Sequence, residues 1–129
     1  MEGVRMTRQR VTEEPQPVRK WNDVFTAISA EPRRQLVASL LDQPTAQSVS
    51  LPDGATPATS FGDRDTLRQE LHHRHLPLLA DMGFIEWDTD PLVASRGPRF
   101  EDVAVVCKSL HANASEIPES LLEGSHWLE

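Results

Sequence analysis

The sequence predicts a mainly α domain carrying one small β-hairpin, an α+β fold. Apolar residues recur at helical three-and-four spacing in four separate stretches. Two short runs of strand-forming residues flank the turn-rich tetrapeptide Asp88-Thr89-Asp90-Pro91. The 129 residues, 38% of them hydrophobic, suffice for one core with tails but not for two ordinary domains.

Residues 1–20 have no periodicity and hold Pro15 and Pro17 in a polar setting, so they read as a flexible basic arm, with five basic groups against three acidic ones. A helical pattern starts at Trp21, where Trp21, Val24, Phe25 and Ile28 share a face and Asn22 or Asp23 can cap the start. Ser29 to Pro32 ends it. Pro32 is tolerated in the first turn of a second helix, whose stripe is Leu36, Val37, Leu40 and Leu41. Gln43 to Gly62, rich in Pro, Ser, Thr, Ala and Gly, reads as a long loop with a brief strand at Ser48 to Leu51 and anchors at Val49, Leu51 and Phe61.

Asp63 to Gly83 is the longest helical stretch. Thr66 and Gln69 fit a capping box, and Leu67, Leu71, Leu78 and Met82, with Leu76 and Leu79 beside them, form a broad apolar face. Pro77 lacks an amide donor and clashes with the turn at His73, which predicts a kinked helix or two pieces end to end. Phe84 to Trp87 and Leu92 to Ala94 are the strands of the hairpin, closed by Arg96-Gly97-Pro98-Arg99. Glu101 to Ala112 is helical, with Val103, Val106, Cys107 and Leu110 on one side and acids in its first turn, where the helix dipole favours them. The domain thus spans 21–112. Residues 113–129, with Leu121, Leu122, Trp127 and Leu128 among acids, form an acidic tail or a short docked helix.

Helix, helix, loop, long helix, hairpin, helix is the order of a winged helix-turn-helix domain, in which one helix enters the major groove and the hairpin flanks the backbone. The stretch His75-Leu76-x-x-Leu79-x-x-x-Gly83-Phe84-Ile85-Glu86 resembles the recognition-helix-to-wing segment of ArsR-type regulators, and Ala30 to Leu36 resembles that family's early helix corner. A closer resemblance is to small haloarchaeal winged-helix proteins. It is carried by Leu-His-His-x-His-Leu-Pro at Leu71 to Pro77, Gly-Phe-Ile-Glu-Trp at Gly83 to Trp87, and Arg-Gly-Pro-x-Phe-Glu at Arg96 to Glu101, and it covers about Trp21 to Leu110. The chain departs from the wider family at Gln43 to Gly62, where that family has the first helix of the helix-turn-helix. The resemblance implies a DNA-binding transcriptional regulator, with phosphate contacts from Arg96 and Arg99, and the single cysteine with no secretory signal points to the cytoplasm. The resemblance also implies a homodimer in which the helices Trp21 to Ile28 and Val103 to Leu110 pack across a two-fold axis.

The formal net charge of −7 excludes a grip on DNA by bulk electrostatics. Lys occurs only at positions 20 and 108, and such an acid-rich, Lys-poor composition is typical of proteins that work in very high salt. The charge is uneven: residues 64–83 are neutral and 101–129 carry −5. At molar salt the Debye length is only ~3 Å, so short-range contacts decide. The expected contacts with double-stranded DNA are Arg64, Arg68, Arg74 and His75 in the groove, with Arg96 and Arg99 on phosphates. The plainer alternatives are solvated arginines paired with Asp65 and Glu70, and a Gly97-Pro98 turn whose arginines pair with Glu101 or Asp102.

His72 and His75 lie three apart, but no acid or thiol at a fitting spacing completes a zinc set, and His126-x-x-Glu129 is half of an acid-and-His site, so no metal or other cofactor is expected. The single Cys107 reads as a buried structural residue. No phosphate loop, nucleophile elbow or placed carboxylate pair points to an enzyme. The longest apolar run, Leu76 to Ile85, is interrupted by Pro77, Asp81 and Gly83, which excludes a membrane span, and no secretory signal is recognisable. Beside the regulator stands a second reading: a winged-helix module that has lost its DNA role and pairs with another protein.

Overall fold

In the computed structural model, which describes residues 15–56, 63–123 and 125–128, the first helix begins a full turn before the periodic stretch. Helix α1 spans Gln16–Ala27, with Pro15 at its N-cap and Pro17 in its first turn. Residues 16–20 are helical, which corrects the boundary of the expected arm; the rest of that arm, residues 1–14, lies outside the described residues. These five residues are all exposed. They bury no stripe, and periodicity has nothing to detect there, whereas the first-turn proline supplies a pre-set φ at a position that needs no amide donor. The predicted apolar face also splits. Val24 and Ala27 are buried, while Trp21 and Phe25 stack on each other in solvent with ring centroids 5.6 Å apart.

Helix α2, Glu31–Leu41, starts on Pro32 in its first turn and buries Leu36, Val37, Ala38 and Leu40. The following loop carries the brief strand β1, Val49–Ser50, and a single 3-10 turn, Asp53–Ala55, which packs on α2 and is tied to it by Ser39 Oγ donating to the Gly54 carbonyl at 2.7 Å. Helix α3 is Arg64–Glu70, followed by a π-helical turn at Leu71–His75 and by helix α4, Leu76–Asp81. The break expected from Pro77 is therefore met by widening the turn before it. The Leu76 amide reaches back to the Leu71 carbonyl, five residues away, in the turn that precedes the proline.

Gly83 at φ +82° stops the helix. Strands β2, Ile85–Thr89, and β3, Leu92–Arg96, pair antiparallel around Asp90-Pro91, and β1 joins the far side of β3 with Val49 opposite Ala94, giving the sheet order β1-β3-β2. Helix α5, Phe100–Ala112, returns across α1 and α2. A 3-10 turn at Ala114–Glu116, the short helix α6, Glu119–Leu122, and a last 3-10 turn at His126–Leu128 follow, and Trp127 and Leu128 are buried where that turn packs on α2. The C-terminal stretch is thus docked on its own chain. The core joins Leu36 and Leu40 of α2, Leu71, Leu76 and Leu79 of the long segment, Phe84 and Ile85 of the hairpin, and Phe100 and Val103 of α5.

Candidate nucleic-acid interface

The segment Arg64–His75 presents its polar groups from a helix capped by Asp63, whose carboxylate accepts from the Asp65 amide at 2.9 Å and from Thr66 Oγ1 at 3.0 Å. These bonds, the Thr66 hydroxyl first, hold the Asp63 carboxyl below its usual value. Asp63 is the cap, rather than a box built on Thr66 and Gln69, because its side chain reaches the free amides of the first turn three residues sooner. Arg64 is exposed and paired with Asp53 of the 3-10 turn, a surface bridge that ties loop to helix and adds little stability. Arg68 and Arg74 are also exposed, and neither side chain is in an ion pair among the described residues. His72 and His73 lie exposed beside Arg74 on the π turn. The His72 ring meets Trp87 of β2 edge-on at 5.5 Å and His73 at 4.8 Å, which rests the turn against the hairpin.

His75 does not share this exposure. It is 3% exposed, and its Nδ1 lies 2.8 Å from Arg33 Nη1, an arginine that is itself 3% exposed. Arg33 also donates through Nε to the Ala27 carbonyl and through Nη2 to the Thr26 carbonyl and Ser29 Oγ, at 3.0, 3.0 and 2.8 Å. The groove-facing role expected of His75 is corrected to a buried bond between the π turn and the corner joining α1 to α2. Burial pushes the His75 imidazole below its ordinary value, helped by Arg33 and Arg74 and opposed by Glu70. The guanidinium of Arg33 is likewise lowered by burial, then by Arg74 and Arg34. Arg33 escaped sequence reasoning, although its position three and four residues before the buried Leu36 and Val37 places it on the inner face of α2.

The two hairpin arginines, expected on phosphates, are half-buried and bonded within the chain. Arg96 Nη2 donates to the carbonyls of Leu40 and Gln43, each at 3.0 Å, and the guanidinium lies over the Phe100 ring at 4.9 Å. Arg99 donates to the Met82 carbonyl at 3.0 Å and pairs with Asp23 and Asp102 at 3.2 and 3.3 Å, above the Phe84 ring. Both sit at the base of the hairpin, next to α5. Its tip is Asp90-Pro91, and Glu86, Asp88 and Asp90 are the exposed charged residues of β2 and the tip.

A second surface lies where α1 crosses α5. Trp21, Phe25 and Val105 are 54%, 57% and 55% exposed, beside a hollow of about 260 Å³ between Pro17, Trp21 and Val24 on one side and Val105 and Val106 on the other. Cys107 is buried, and desolvation pushes its thiol up to about 11. Among the described residues no three His, Cys, Asp or Glu side chains gather as a metal site, and no helix is long and apolar enough to cross a membrane. Neither protein-family models, nor curated proteins, nor solved structures give a match to this chain.

Proposed function

We propose that this chain is a DNA-binding transcriptional regulator built on a winged helix-turn-helix. The long segment Arg64–Asp81 enters the major groove, and two copies pair through the apolar face of α1 and α5. The observation that carries the reading is the joint exposure of Arg68 and Arg74, outside any ion pair among the described residues, on a stretch whose charges balance within an acidic chain. The sheet order is compatible with it, since β1 lies between α2 and α3 in sequence and pairs with the second hairpin strand, while α4 and His72 pack against β2. With Arg96 and Arg99 engaged within the chain, contact with the DNA backbone falls to Arg64, Arg68 and Arg74, with the exposed His72 and His73 beside them. The test is binding of labelled promoter duplexes at the salt of the native cytosol. Arg68→Ala with Arg74→Ala should weaken affinity at least about tenfold, and undiminished binding by the folded double variant removes the segment from the mechanism.

One observation favours a second reading. The exposed acids of the hairpin, Glu86, Asp88 and Asp90, repel phosphate and suit a basic protein partner, as expected of a winged-helix module that no longer reads DNA. Recovery of a stoichiometric protein partner without DNA, lost when these three acids are neutralised, decides for this reading.

A further inference from the structure

We infer that His75 and Arg33 form a proton-sensitive latch. While the His75 imidazole is neutral, its Nδ1 accepts from Arg33 and pins the π turn Leu71–His75 to the α1–α2 corner; protonation of that nitrogen releases the turn.

The geometry allows one arrangement of protons. A guanidinium only donates, so the 2.8 Å contact makes His75 Nδ1 an acceptor and places the ring hydrogen on Nε2. A second proton on the ring has to occupy Nδ1, which removes the acceptor and sets two cations face to face in a buried site. The release is one-sided. Arg33 keeps the carbonyls of Ala27 and Thr26 and the hydroxyl of Ser29, whereas the His75 ring loses the bond that ties it to α2.

The surrounding charges favour opening. Arg33 on α2 and Arg74 in the turn itself both oppose a charged His75, and Arg34 adds to the positive field at Arg33. Glu70, at the end of α3, is the carboxylate that acts the other way, and α4 supplies the buried apolar Leu76 and Leu79. The latch is also set in the irregular part of the helix. A π turn interrupts the regular ladder of the α-helices on either side, and the bond from His75 to Arg33 ties this one to α2. His72, His73 and Arg74 are carried on that turn, so the placement of His72 against Trp87, and of its neighbours with it, follows the protonation of His75.

The sign follows from linkage. Folding holds His75 below the value of 6.5 that it has in the unfolded chain, so the stabilisation is complete above pH 6.5 and is lost as pH falls from there through the folded value. The inference concerns the fold and does not rest on DNA binding, and its readouts are structural.

The test is a pH titration of the full chain by long-range proton–nitrogen NMR of the histidine rings, with the amides followed in parallel. We expect His75 to carry its proton on Nε2 at neutral pH and to titrate below 6.5. The amides of Leu71 to Leu76 and of Thr26 to Ser29 should shift with the same midpoint. Arg33→Met should move the His75 midpoint upward, and His75→Asn, which keeps an acceptor near the Nδ1 position but cannot titrate, should flatten the loss of thermal stability below pH 6.5. A proton on Nδ1 at neutral pH, a midpoint at or above 6.5, or turn amides indifferent to it overturns the latch. Should His75→Asn fail to fold, the wild-type titration decides alone.

Discussion

Arg99 closes the molecule by reaching Asp23, 76 residues earlier in the chain, with Nη1 3.2 Å from the carboxylate while the same nitrogen donates to the Met82 carbonyl. One side chain thus joins the exit of the hairpin, the end of α4 and the middle of α1. Because its guanidinium is about one-third exposed, the ion pair is partly screened, and the bond to Met82 and the stacking on Phe84 carry much of its value.

Arg99→Met should therefore destabilise the fold by roughly 2 kcal/mol, the scale of hydrogen bonds to a charged group. That corresponds to a fall of about 5–10 °C in the melting temperature of a domain this size. Asp23→Asn should cost less, since Arg99 keeps Met82 and Asp102. Thermal unfolding of the two variants measures the difference, and an unchanged melting point for Arg99→Met would return this arginine to the surface role expected from its place after the hairpin.

Gly97 is the tightest backbone approach at the same corner. Its amide donates to the Phe84 carbonyl at 2.9 Å, and a Cβ there would stand 2.6 Å from the Gly83 carbonyl oxygen and 2.8 Å from the Ile85 nitrogen. Both neighbours are main chain and have no rotamer to give. Gly97→Ala is expected to cost about 3 kcal/mol, the upper end of overpacking. Gly54→Ala, whose Cβ would meet the Val49 side chain at 3.0 Å, should cost much less. Equal denaturant midpoints for the two variants would contradict the close approach at Gly97.

The elements that were legible in the sequence are those whose signal is local. Pro32 followed by a stripe marked α2, the acids ahead of Val103 marked α5, and Asp90-Pro91 between two β-prone runs marked the hairpin. The start of α1 was silent because residues 16–20 are all exposed and bury no apolar stripe. Pro77 announced a break, and the structure places it one turn upstream because the ring collides with the turn before it, not with its own. In the site, the exposure of Arg64, Arg68 and Arg74 could be read from their places off the leucine stripe. His75 lies on that stripe, four residues after Leu71, and this spacing was the signal that it would be buried. Most partners of Arg33, Arg96 and Arg99 lie on chain segments six to 76 residues away, which no local pattern reports; Ser29, four residues before Arg33, and Asp102, three after Arg99, are the local exceptions.

Cys107 sits on the buried side of α5 with its thiol pushed up to about 11. At pH 8 about one part in a thousand is then thiolate, the species that reacts. The native protein should label with a disulfide reagent only as fast as it unfolds, and denaturant should raise the rate by orders of magnitude. Rapid labelling of the folded chain at pH 8 would show that the thiol is open to solvent.

Trp21 and Phe25 remain the least explained residues of an isolated copy. Each leaves more than half of its surface in water, and they stack on each other at the rim of an apolar hollow made with Val105 and Val106 of α5. Two aromatic rings on one helix face, with Val18 43% exposed beside them, are the kind of apolar patch that marks an interface rather than a solvated surface. A second copy covers this patch in the proposed dimer. Trp21→Ser with Phe25→Ser should then convert a dimer into a monomer in sedimentation equilibrium at native salt. The circular dichroism of the subunit should be unchanged, because substitutions at exposed positions usually alter stability by no more than about 0.5 kcal/mol. On the proposed reading DNA affinity should fall as the dimer is lost, since each copy would hold one half-site. If the wild-type chain already sediments as a monomer at the concentrations where it binds DNA, the two rings face something other than a second copy. A loss of the circular dichroism signal in the double variant would instead make the stack part of the fold.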